Sequence, residues 1–592
     1  MLKNSSIIIL VILFLYSCNQ KKQEFQLELT DWALQIDSLG IGETNNWSDV
    51  NYKYSDSIQT EKFSDWKTIF GRKYTGTVWY FTDFDLDLIK NVALAIATID
   101  QSGLIWVNGN FAGEQKGKIC KKFDISDKVL PGKNRLTIKV TKNEGPGGIL
   151  GEVTIQELNN EIEIHKGEFA MLKAPAPPDW VKNAVIYEVN LRQYTREGTF
   201  TAFAKHLPAI KDLGVDIIWF MPIHPIGVKN RRGTLGSYYS IYDYYDINPE
   251  FGTLEDFRHL VQKIHDLGMF TIIDLVINHT AWDNPLIKEH TDWYTHNKKG
   301  HIISPVADWR DVADLNYNNK ELRRYMMDMM KYWIKDIGID GYGCDFAEWI
   351  PGDFWRESIA ELQSIKPVFM LAEGEAPELH TYGFHITYAT KMYELFNTIA
   401  TSKSEPQEID EYLRREDYSY PEGGMRMRFT SNHDENTFRG SAIERLTPKG
   451  AKAFAVLTFT LPGHPLIFNG QETGITKRLE FFDKDEIEWR DSKFRPFYRT
   501  LNHFYKSHPA LYSGHMQKID SKIIYAFCRK MGNDQIVAVL NLTPKSQQET
   551  IIFDNITGNF REIFKQTTLT INNSILDLKL APWEYRIYEK TP

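Results

Sequence analysis

Two patterns of hydrophobic and polar positions divide the chain. Residues 25–165 contain short runs of β-branched and aromatic residues separated by turn residues, as at 78–81. Such runs are typical of strands, and Asn108-Gly109 after an apolar run indicates a hairpin. The pattern predicts an N-terminal β-sandwich, to which we assign residues 18–168.

From about residue 169, continuous apolar runs alternate with helical patterns. Runs buried on both faces are typical of parallel strands, and eight candidate strands begin near residues 185, 215, 270, 340, 367, 385, 426 and 465. Alternation of strands and helices over roughly 330 residues predicts a (β/α)₈ TIM barrel at 169–510. About 60 residues separate the third strand from the fourth, too many for one helix and a turn, so we predict an inserted loop domain at about 280–314.

From residue 511 onward short strands return, which predicts a C-terminal β-sandwich at 511–592. The predicted fold is therefore multidomain, a barrel flanked by two sandwiches. In the first sandwich, the string WVNG at 106–109 resembles the galactose-binding-like jelly roll of many glycosidases. Such a domain is either a carbohydrate-binding module or a spacer that packs on the next domain, and we favour the spacer.

The N-terminus has the pattern of an export signal. A short basic stretch precedes the apolar run 7–16, which is too short for a bilayer-spanning helix of about 20 residues. We predict a signal peptide at 1–17. The string LYSC at 15–18 resembles a bacterial lipobox, so Cys18 is the predicted lipidation site, with an ordinary cleavage site as the alternative. These features predict an exported protein, lipid-anchored to a membrane of the bacterial cell envelope on its periplasmic or cell-surface side.

Charge and cysteine content narrow the classes of ligand. The net charge is −9, from 69 Lys and Arg against 78 Asp and Glu. This balance argues against nucleic acid, whose phosphates require basic surfaces, and suits a neutral ligand. The other cysteines, Cys120, Cys344 and Cys528, have no metal-binding spacing, and we expect them to be reduced and buried.

Acidic residues accompany several of the predicted barrel strands. Asp274 lies on strand three, Asp345 follows strand four, Glu373 strand five and Asp434 strand seven. Because chemistry in such barrels collects at the carboxyl ends of the strands, we expect these carboxylates to converge. Paired carboxylates suit cleavage of a glycosidic bond. The sequence carries no P-loop, nucleophile elbow or dinucleotide-binding glycine motif that would indicate phosphoryl, acyl or hydride transfer.

Ordered motifs within residues 180–510 resemble the α-amylase family, glycoside hydrolase family 13. The string DLVINH at 274–279 is similar to the first family motif, LAE at 371–373 to the third, and SNHD at 431–434 to the fourth. Their order and spacing make the resemblance specific. It implies a retaining mechanism through a covalent glycosyl-enzyme, with two catalytic carboxyl groups ~5–5.5 Å apart.

The family's catalytic roles carry over residue by residue. The resemblance implies that Asp345 is the nucleophile and Glu373 the general acid/base. It implies that Asp434 stabilises the transition state and grips sugar hydroxyls. Asp274 is expected to orient its neighbours rather than to take part in the chemistry.

Substrate binding is implied for a second group of residues. His279 and His433 are expected to donate hydrogen bonds to hydroxyls in the −1 subsite, which holds the sugar ring that is cleaved. Tyr239 is expected to form the floor on which that sugar stacks. Glu348 and Trp349 are expected to face the +1 side, with packing beneath the inserted loop as the alternative for Trp349.

The second motif departs from the family pattern. The family carries arginine two residues before the nucleophile, where this chain has Gly343. Side chains two residues apart on a strand share a face, so the arginine would lie against Asp345, lower its pKa by about 1–3 and fix its rotamer. With glycine, either a void or water replaces that side chain, or an Arg or Lys from a neighbouring element fills the space. Two interpretations remain open: an active glycosidase, which the other intact acids favour, and a weak or inactive glycan-binding lipoprotein.

This chemistry requires no cofactor, but many relatives bind a structural Ca²⁺ through the asparagine of the first motif. Asn278 is the best candidate ligand here, with Asp308 or Asp311 as others, because Ca²⁺ takes oxygen ligands. The family implies α-1,4 or α-1,6 glucosidic bonds in starch, glycogen, pullulan or maltooligosaccharides, so the expected partner is an α-glucan. Transglycosylases share these motifs, and protein partners are not indicated.

Overall fold

The computed structural model describes residues 26–54, 57–60, 66–70, 75–86, 92–100, 102–116, 121–142, 147–157, 167–572 and 575–591. The predicted signal peptide at 1–17, the predicted lipidation site Cys18, and Cys120 lie outside these residues. The chain divides into two units, Met1–His165 and Lys166–Pro592.

Two antiparallel sheets form the first unit. Its elements are β1 (Gln26–Glu28), β2 (Trp32–Ile36), β3 (Ile58–Thr60), α1 (Trp66–Phe70), β4 (Gly76–Leu86), β5 (Val92–Asp100), β6 (Ser102–Val107), β7 (Asn110–Lys116), β8 (Lys121–Asp124), β9 (Gly132–Lys142) and β10 (Gly148–Glu157). The sheet orders are β1-β10-β5-β8 and β3-β2-β4-β9-β6-β7. Alternate residues such as Tyr80, Leu94 and Ile138 fill the core between the sheets. The predicted hairpin is confirmed, because Asn108 and Gly109, both with positive φ, join β6 to β7.

The strands that follow carry the barrel. They are β11 (Ile186–Val189), β12 (Ile217–Phe220), β13 (Phe270–Leu275), β14 (His279–Ala281), β15 (Val312–Asp314), β16 (Gly341–Cys344), β17 (Phe369–Ala372), β18 (Ile386–Tyr388), β19 (Met425–Arg428) and β20 (His464–Phe468). All but β14 and β15 pair in parallel into a closed barrel, and β11 meets β20 through Ile186 and Leu466. The predicted eight-stranded parallel barrel is confirmed.

Helices alternate with the barrel strands. They are α2 (Leu191–Tyr194), α3 (Phe200–Ala204), α4 (Leu207–Leu213), α5 (Leu254–Asp266), α6 (Leu286–Glu289), α7 (Lys320–Tyr332), α8 (Gly352–Gln363), α9 (Glu378–Thr381), α10 (Thr390–Ala400), α11 (Glu408–Ser419), α12 (Ala442–Thr460), α13 (Phe494–Ser507) and α14 (Pro509–Tyr512). Local sequence sets their ends. For example, Thr253 and Asp256 form a reciprocal capping box that starts α5.

Side chains along each barrel strand point alternately into the barrel and toward the surrounding helices. Ile186 and Trp219 belong to the inner core, whereas Tyr187 packs in the layer between sheet and helices. Successive side chains on a strand point to opposite faces. Glu188 and Gly343 therefore lie on the inner side, near the carboxyl ends of β11 and β16.

Between β13 and α7 the chain makes an excursion from the barrel. β14 and β15 pair as an antiparallel ribbon at its base, and α6 lies between them along the chain. Leu286, Trp293 and Tyr294 of the excursion pack into the same core as the barrel helices. Because the excursion shares that core, an inserted domain of its own at 280–314 is not confirmed.

Strands also fill the C-terminal part. They are β21 (His515–Lys518), β22 (Tyr525–Met531), β23 (Asp534–Leu540), β24 (Gln547–Ile552), β25 (Thr557–Glu562), β26 (Thr568–Asn572), β27 (Ile575–Leu580) and β28 (Tyr585–Lys590). Six form one sheet, β21-β22-β23-β28-β25-β26, and β24 pairs with β27. Val537, Phe560 and Leu580 contribute to a core between these sheets. Phe527 and Trp583 join the core of the barrel.

Two of the three cysteine predictions are tested by the structure. Cys344 and Cys528 are free and buried, as expected. In the described part of the chain, no helix is long and apolar enough to cross a membrane.

Candidate active site

The carboxyl ends of the barrel strands bring the predicted acids together. Asp274 lies within β13, Asp345 follows β16 and Glu373 follows β17. Asp434 lies beyond β19, just before a π-helical turn. The backbone N–H of Asp345 still donates to the carbonyl of Leu275 at 3.1 Å. The parallel ladder therefore continues past the strand ends and holds the acids at one rim of the barrel.

Asp345 is buried in this rim. Its Oδ2 accepts a hydrogen bond of 2.6 Å from the amide nitrogen of Asn278. Burial raises the pKa of Asp345 well above its usual range, the charges of Glu373 and Asp274 raise it further, and the Asn278 bond lowers it. Among the described residues, the support for the ionised form of this carboxyl comes from that hydrogen bond.

Glu373 is the second carboxyl group of the pair. Its Oε2 accepts the backbone N–H of Phe346 at 3.1 Å. Phe346 has a left-handed backbone, with φ 41°, a conformation that is unusual for a bulky residue. Burial and then the charge of Asp434 raise the pKa of Glu373 to about 7, against the lowering effects of Phe346 and His433. A carboxyl group with this pKa is suited to act as a general acid near neutral pH.

His433 is held between several polar groups. Its Nδ1 lies 2.5 Å from Oε1 of Glu188, and its Nε2 lies 2.8 Å from the hydroxyl of Tyr239 and 3.5 Å from Oδ1 of Asp434. Burial alone would lower the pKa of His433, but Asp434, Glu188 and Asp274 raise it to about 10. A pKa in this range favours the charged form of the ring at neutral pH.

Tyr239 and His279 form one side of the site. The ring of Tyr239 stacks on His433 with centroids 5.5 Å apart. Nε2 of His279 donates to the backbone carbonyl of Tyr239 at 3.1 Å, and burial lowers the pKa of His279 to about 4, so the ring is neutral. Its buried Nδ1 has no partner among the described residues and is then an acceptor. This geometry makes His279 an acceptor toward a sugar hydroxyl, whereas the resemblance implies a donor.

Trp349 lies at the edge of the site and is 45% exposed. Its ring stacks on Trp309 of the excursion at 5.6 Å and lies 4.4 Å from that of Phe346. One face thus packs beside the excursion, while much of the ring remains open to solvent. Glu348 accepts two backbone N–H groups at 375–376, at 2.6 and 2.8 Å, and so fixes the loop after β17.

A cleft of about 360 Å³ opens among these groups. Four of the predicted residues line it, namely Tyr239, His279, Asp345 and Asp434. Trp309 and the largely exposed Phe438 add aromatic surface to its walls. Aromatic faces beside a few polar groups are the composition expected of a site for a sugar ring.

Trp219 occupies the space beside Gly343. A β-carbon at position 343 would come within 2.5–2.6 Å of three atoms of the indole, a separation that real side chains do not show. The place expected for an arginine is therefore taken by an aromatic ring that β12 sends across the barrel. Neither sequence expectation, a void or water or a cation from a neighbouring element, named this ring, which fills the space immediately beside Gly343.

The geometry around Asn278 bears on the calcium prediction. Its amide nitrogen is engaged by Asp345, Asp308 is exposed and Asp311 lines the cleft. Among the described residues, no group of three or more His, Cys, Asp or Glu could hold a metal ion. Asn278 Oδ1, the atom that would hold Ca²⁺, is buried and has no partner among the described residues. Calcium binding therefore stays a prediction, and no catalytic step is assigned to a metal.

Glu188 and Trp219 are the two site residues that sequence reasoning missed. Both sit inside apolar runs that predict buried strands and nothing more. The sequence signal for Glu188 is an acidic residue near the carboxyl end of a predicted barrel strand, at a position whose side chain points into the barrel. No comparable signal marked Trp219, because its role depends on a contact across the barrel.

Comparisons with known proteins agree with the barrel fold. The family model of the alpha amylase catalytic domain matches residues 187–311 and 293–368. The solved structure of the noncanonic maltogenic alpha-amylase AmyB from Thermotoga neapolitana is similar with a TM-score of 0.65 and 31% identity, over 70% of this chain and 100% of that chain. Alpha-amylase 2 of Dictyoglomus thermophilum is 26% identical over 502 residues, 78% of this chain and 85% of the relative. The cyclomaltodextrinase of Thermoanaerobacter pseudethanolicus is 24% identical over 458 residues, 68% of this chain and 77% of the relative.

Proposed function

Because the chain belongs to the alpha-amylase family and is a glycoside hydrolase, we propose that it hydrolyses α-glucosidic bonds of α-glucans with retention of configuration. The observation that carries this proposal is the pairing of Asp345 with Glu373. The Glu373 carboxyl group makes a side-chain hydrogen bond with Asp345, and the charge of Glu373 raises the pKa of Asp345, so the two lie close together. Close spacing is the retaining arrangement, whereas inverting enzymes separate their carboxyl groups by ~6.5–9.5 Å to admit a water.

The proposed reaction has two steps. Oδ of ionised Asp345 attacks the anomeric carbon while Glu373 gives its proton to the departing glycosidic oxygen, which leaves a glycosyl ester on Asp345 and a free hydroxyl on the leaving sugar. Glu373, now ionised, then takes a proton from a water that attacks the same carbon. The ester bond breaks, Asp345 is regenerated as a carboxylate and Glu373 as an acid. Asp434, 42% exposed in its side chain and facing the cleft, would hold sugar hydroxyls.

The proposed substrates are starch, pullulan or maltooligosaccharides, cut at α-1,4 or α-1,6 bonds. Relatives named as alpha-amylases and as a cyclomaltodextrinase support this class. The open stack of Trp309 and Trp349 beside Asp345 supports a subsite in which a second glucose packs on an aromatic face.

Gly343 supports a second candidate, a catalytically weak member that captures glycans. Asp345 lacks the arginine that the family pattern supplies, and burial and neighbouring acids raise its pKa. A protonated Asp345 would bind sugar without attacking it. Two observations support the enzyme: Asn278 donates to the Asp345 carboxylate, and the pKa of the neighbouring Glu373 is raised to about 7, which suits a general acid.

The stereochemistry of the product tests the proposal. Maltopentaose would be treated with the chain lacking residues 1–18, and the newly formed anomer would be followed by proton NMR before mutarotation. We expect the α-anomer to appear first. Initial release of the β-anomer would contradict the retaining mechanism, and glucan binding without any turnover would favour the second candidate.

We further propose that the protein acts outside the cytoplasm, anchored through lipidated Cys18. The apolar run at 7–16 and the string LYSC at 15–18 support this location. The Cys18→Ala variant should lose labelling by radioactive palmitate and leave the membrane fraction. Unchanged labelling of Cys18→Ala would contradict the anchor.

A further inference from the structure

Glu188 is a fully buried acid that the proposed reaction does not use. It lies on β11, and its Oε1 accepts both the backbone N–H of His433, at 3.1 Å, and Nδ1–H of the same ring, at 2.5 Å. Two contacts from one carboxylate oxygen fix both the position and the orientation of the imidazole. Burying a carboxylate is costly unless a partner offsets its charge, and His433 is that partner.

The site needs a cation because it concentrates negative charge. Asp274, Asp345, Glu373 and Asp434 lie at one rim of the barrel and act on one another's pKa values, and Gly343 stands where the family pattern has an arginine. His433 acts on Asp274 and on Glu373, lowering the pKa of both. Arg232 and Arg439 also line the cleft, but both are exposed at its outer part.

We propose that Glu188 is a positioning residue that fixes His433, through both its backbone N–H and its ring, as the cation of the −1 subsite. The inference rests on the proposed function, because it assigns a task within the same site. Under this proposal Glu188 contributes to the reaction and not only to the stability of the fold.

The hydrogen-bond order around the ring supports a doubly protonated imidazole. With both ring nitrogens protonated, Nδ1–H donates to Glu188 and Nε2–H donates to the hydroxyl of Tyr239, whose own proton can then point to Sδ of Met221, 3.5 Å away. Each proton in this series of hydrogen bonds then has its own acceptor. A neutral ring protonated on Nδ1 would instead need the hydroxyl proton of Tyr239 at Nε2.

Several charged or titratable groups act on His433 or lie beside it, and all bear on its protonation. They are Glu188 from β11, Asp274 from β13, Glu373 after β17, the adjacent Asp434, and Tyr238 and Tyr239 from the loop after β12. Glu188 differs from the other acids because it is the one that hydrogen-bonds Nδ1 of the ring. Its replacement therefore tests the pair directly.

The test uses the mature chain labelled with ¹³C at Cε1 of histidine. The His433 resonance, assigned from a His433→Gln variant, would be titrated in the wild type and in Glu188→Gln, Glu188→Asp and Glu472→Gln. We expect wild-type His433 to stay protonated through pH 8 and its midpoint to fall by about 1–3 pH units in Glu188→Gln. Glu188→Asp, which keeps the charge, should recover most of this loss. Glu472→Gln, which removes another buried glutamate that Tyr187 hydrogen-bonds, should leave the His433 titration unchanged.

Kinetics on maltopentaose provide a second readout. Glu188→Gln should lower kcat about 10–100-fold, the size expected for a hydrogen bond to a charged group, with little change in KM. An unchanged His433 titration in Glu188→Gln would overturn the inference, as would lost activity that Glu188→Asp does not restore at all. If the wild type shows no turnover, the proposed function fails, while the titration still decides whether Glu188 fixes His433 as a cation.

Discussion

The indole of Trp219 lies directly against Gly343, with three ring atoms 2.5–2.6 Å from where a β-carbon would be. The two residues come from β12 and β16, which are separated in the sheet by β13. The glycine is therefore required by the tryptophan, and its presence need not indicate a decaying active site. Arginine cannot simply be restored at position 343 while Trp219 remains.

The first prediction concerns this pair. Gly343→Arg should lower the free energy of unfolding by about 1–3 kcal/mol through overpacking and should not raise turnover. Trp219→Ala combined with Gly343→Arg provides room for the arginine beside Asp345. Because activity needs ionised Asp345 and an adjacent arginine lowers its pKa, the acid limb of the pH profile should move to lower pH in the double variant. Thermal melts and pH–rate profiles measure both effects. A stable and more active Gly343→Arg single variant would show that Trp219 does not fill the site.

The second prediction concerns pH and Glu373. As the general acid, Glu373 must be protonated, so kcat/KM should fall as the pH rises through about 7. A buried carboxyl group with a raised pKa also costs stability as the pH rises from its unfolded value toward its folded value, because the unfolded chain releases the proton first. Glu373→Gln should lower kcat by about 10²–10⁴-fold, remove this basic limb and flatten the stability profile between about pH 5 and 7. A basic limb that persists in the residual activity of Glu373→Gln would assign that limb to another group.

The third prediction separates two roles of Asn278. If its amide holds Asp345 through the 2.6 Å hydrogen bond, Asn278→Ala should lower kcat about 10–100-fold. Treatment with a chelator should leave activity and melting temperature unchanged in the wild type. Loss of activity on chelation, restored by added Ca²⁺, would instead support the calcium prediction.

The fourth prediction concerns the aromatic edge of the cleft. Trp349→Ala should raise KM for maltopentaose about 2–10-fold, since stacking on an aromatic ring contributes about 0.5–1.5 kcal/mol. Trp489→Ala is the matched control, because Trp489 is 37% exposed but packs on Tyr194, whereas Trp349 packs on Trp309 and Phe346, which line the cleft. Equal effects of the two substitutions would mean that Trp349 contributes to stability and not to a subsite.

The sequence predicts the barrel and its acids well because both leave local signals. Continuous apolar runs mark the strands. Asp345 and Glu373 each follow directly after a strand, which places both acids at the carboxyl rim of the barrel. Trp219 leaves no such signal, and the position of Glu188 on its strand indicates which way it faces but not its partner. Their roles arise from contacts with Gly343 and His433, which are more than 100 residues away in sequence. The proton on His279 is also set by tertiary structure, through its bond to the Tyr239 carbonyl.

The central claim, that this chain is a working retaining glycosidase despite Gly343, is tested most directly by its turnover. Reducing sugar released from soluble starch and pullulan would be measured for the chain lacking residues 1–18 and for its Asp345→Asn variant, with starch binding measured for both. We predict clear release by the wild type, a loss of at least about 10³-fold in Asp345→Asn and retained binding in both. Absence of release by a folded wild type that binds starch would contradict the claim, and so would release that Asp345→Asn does not diminish.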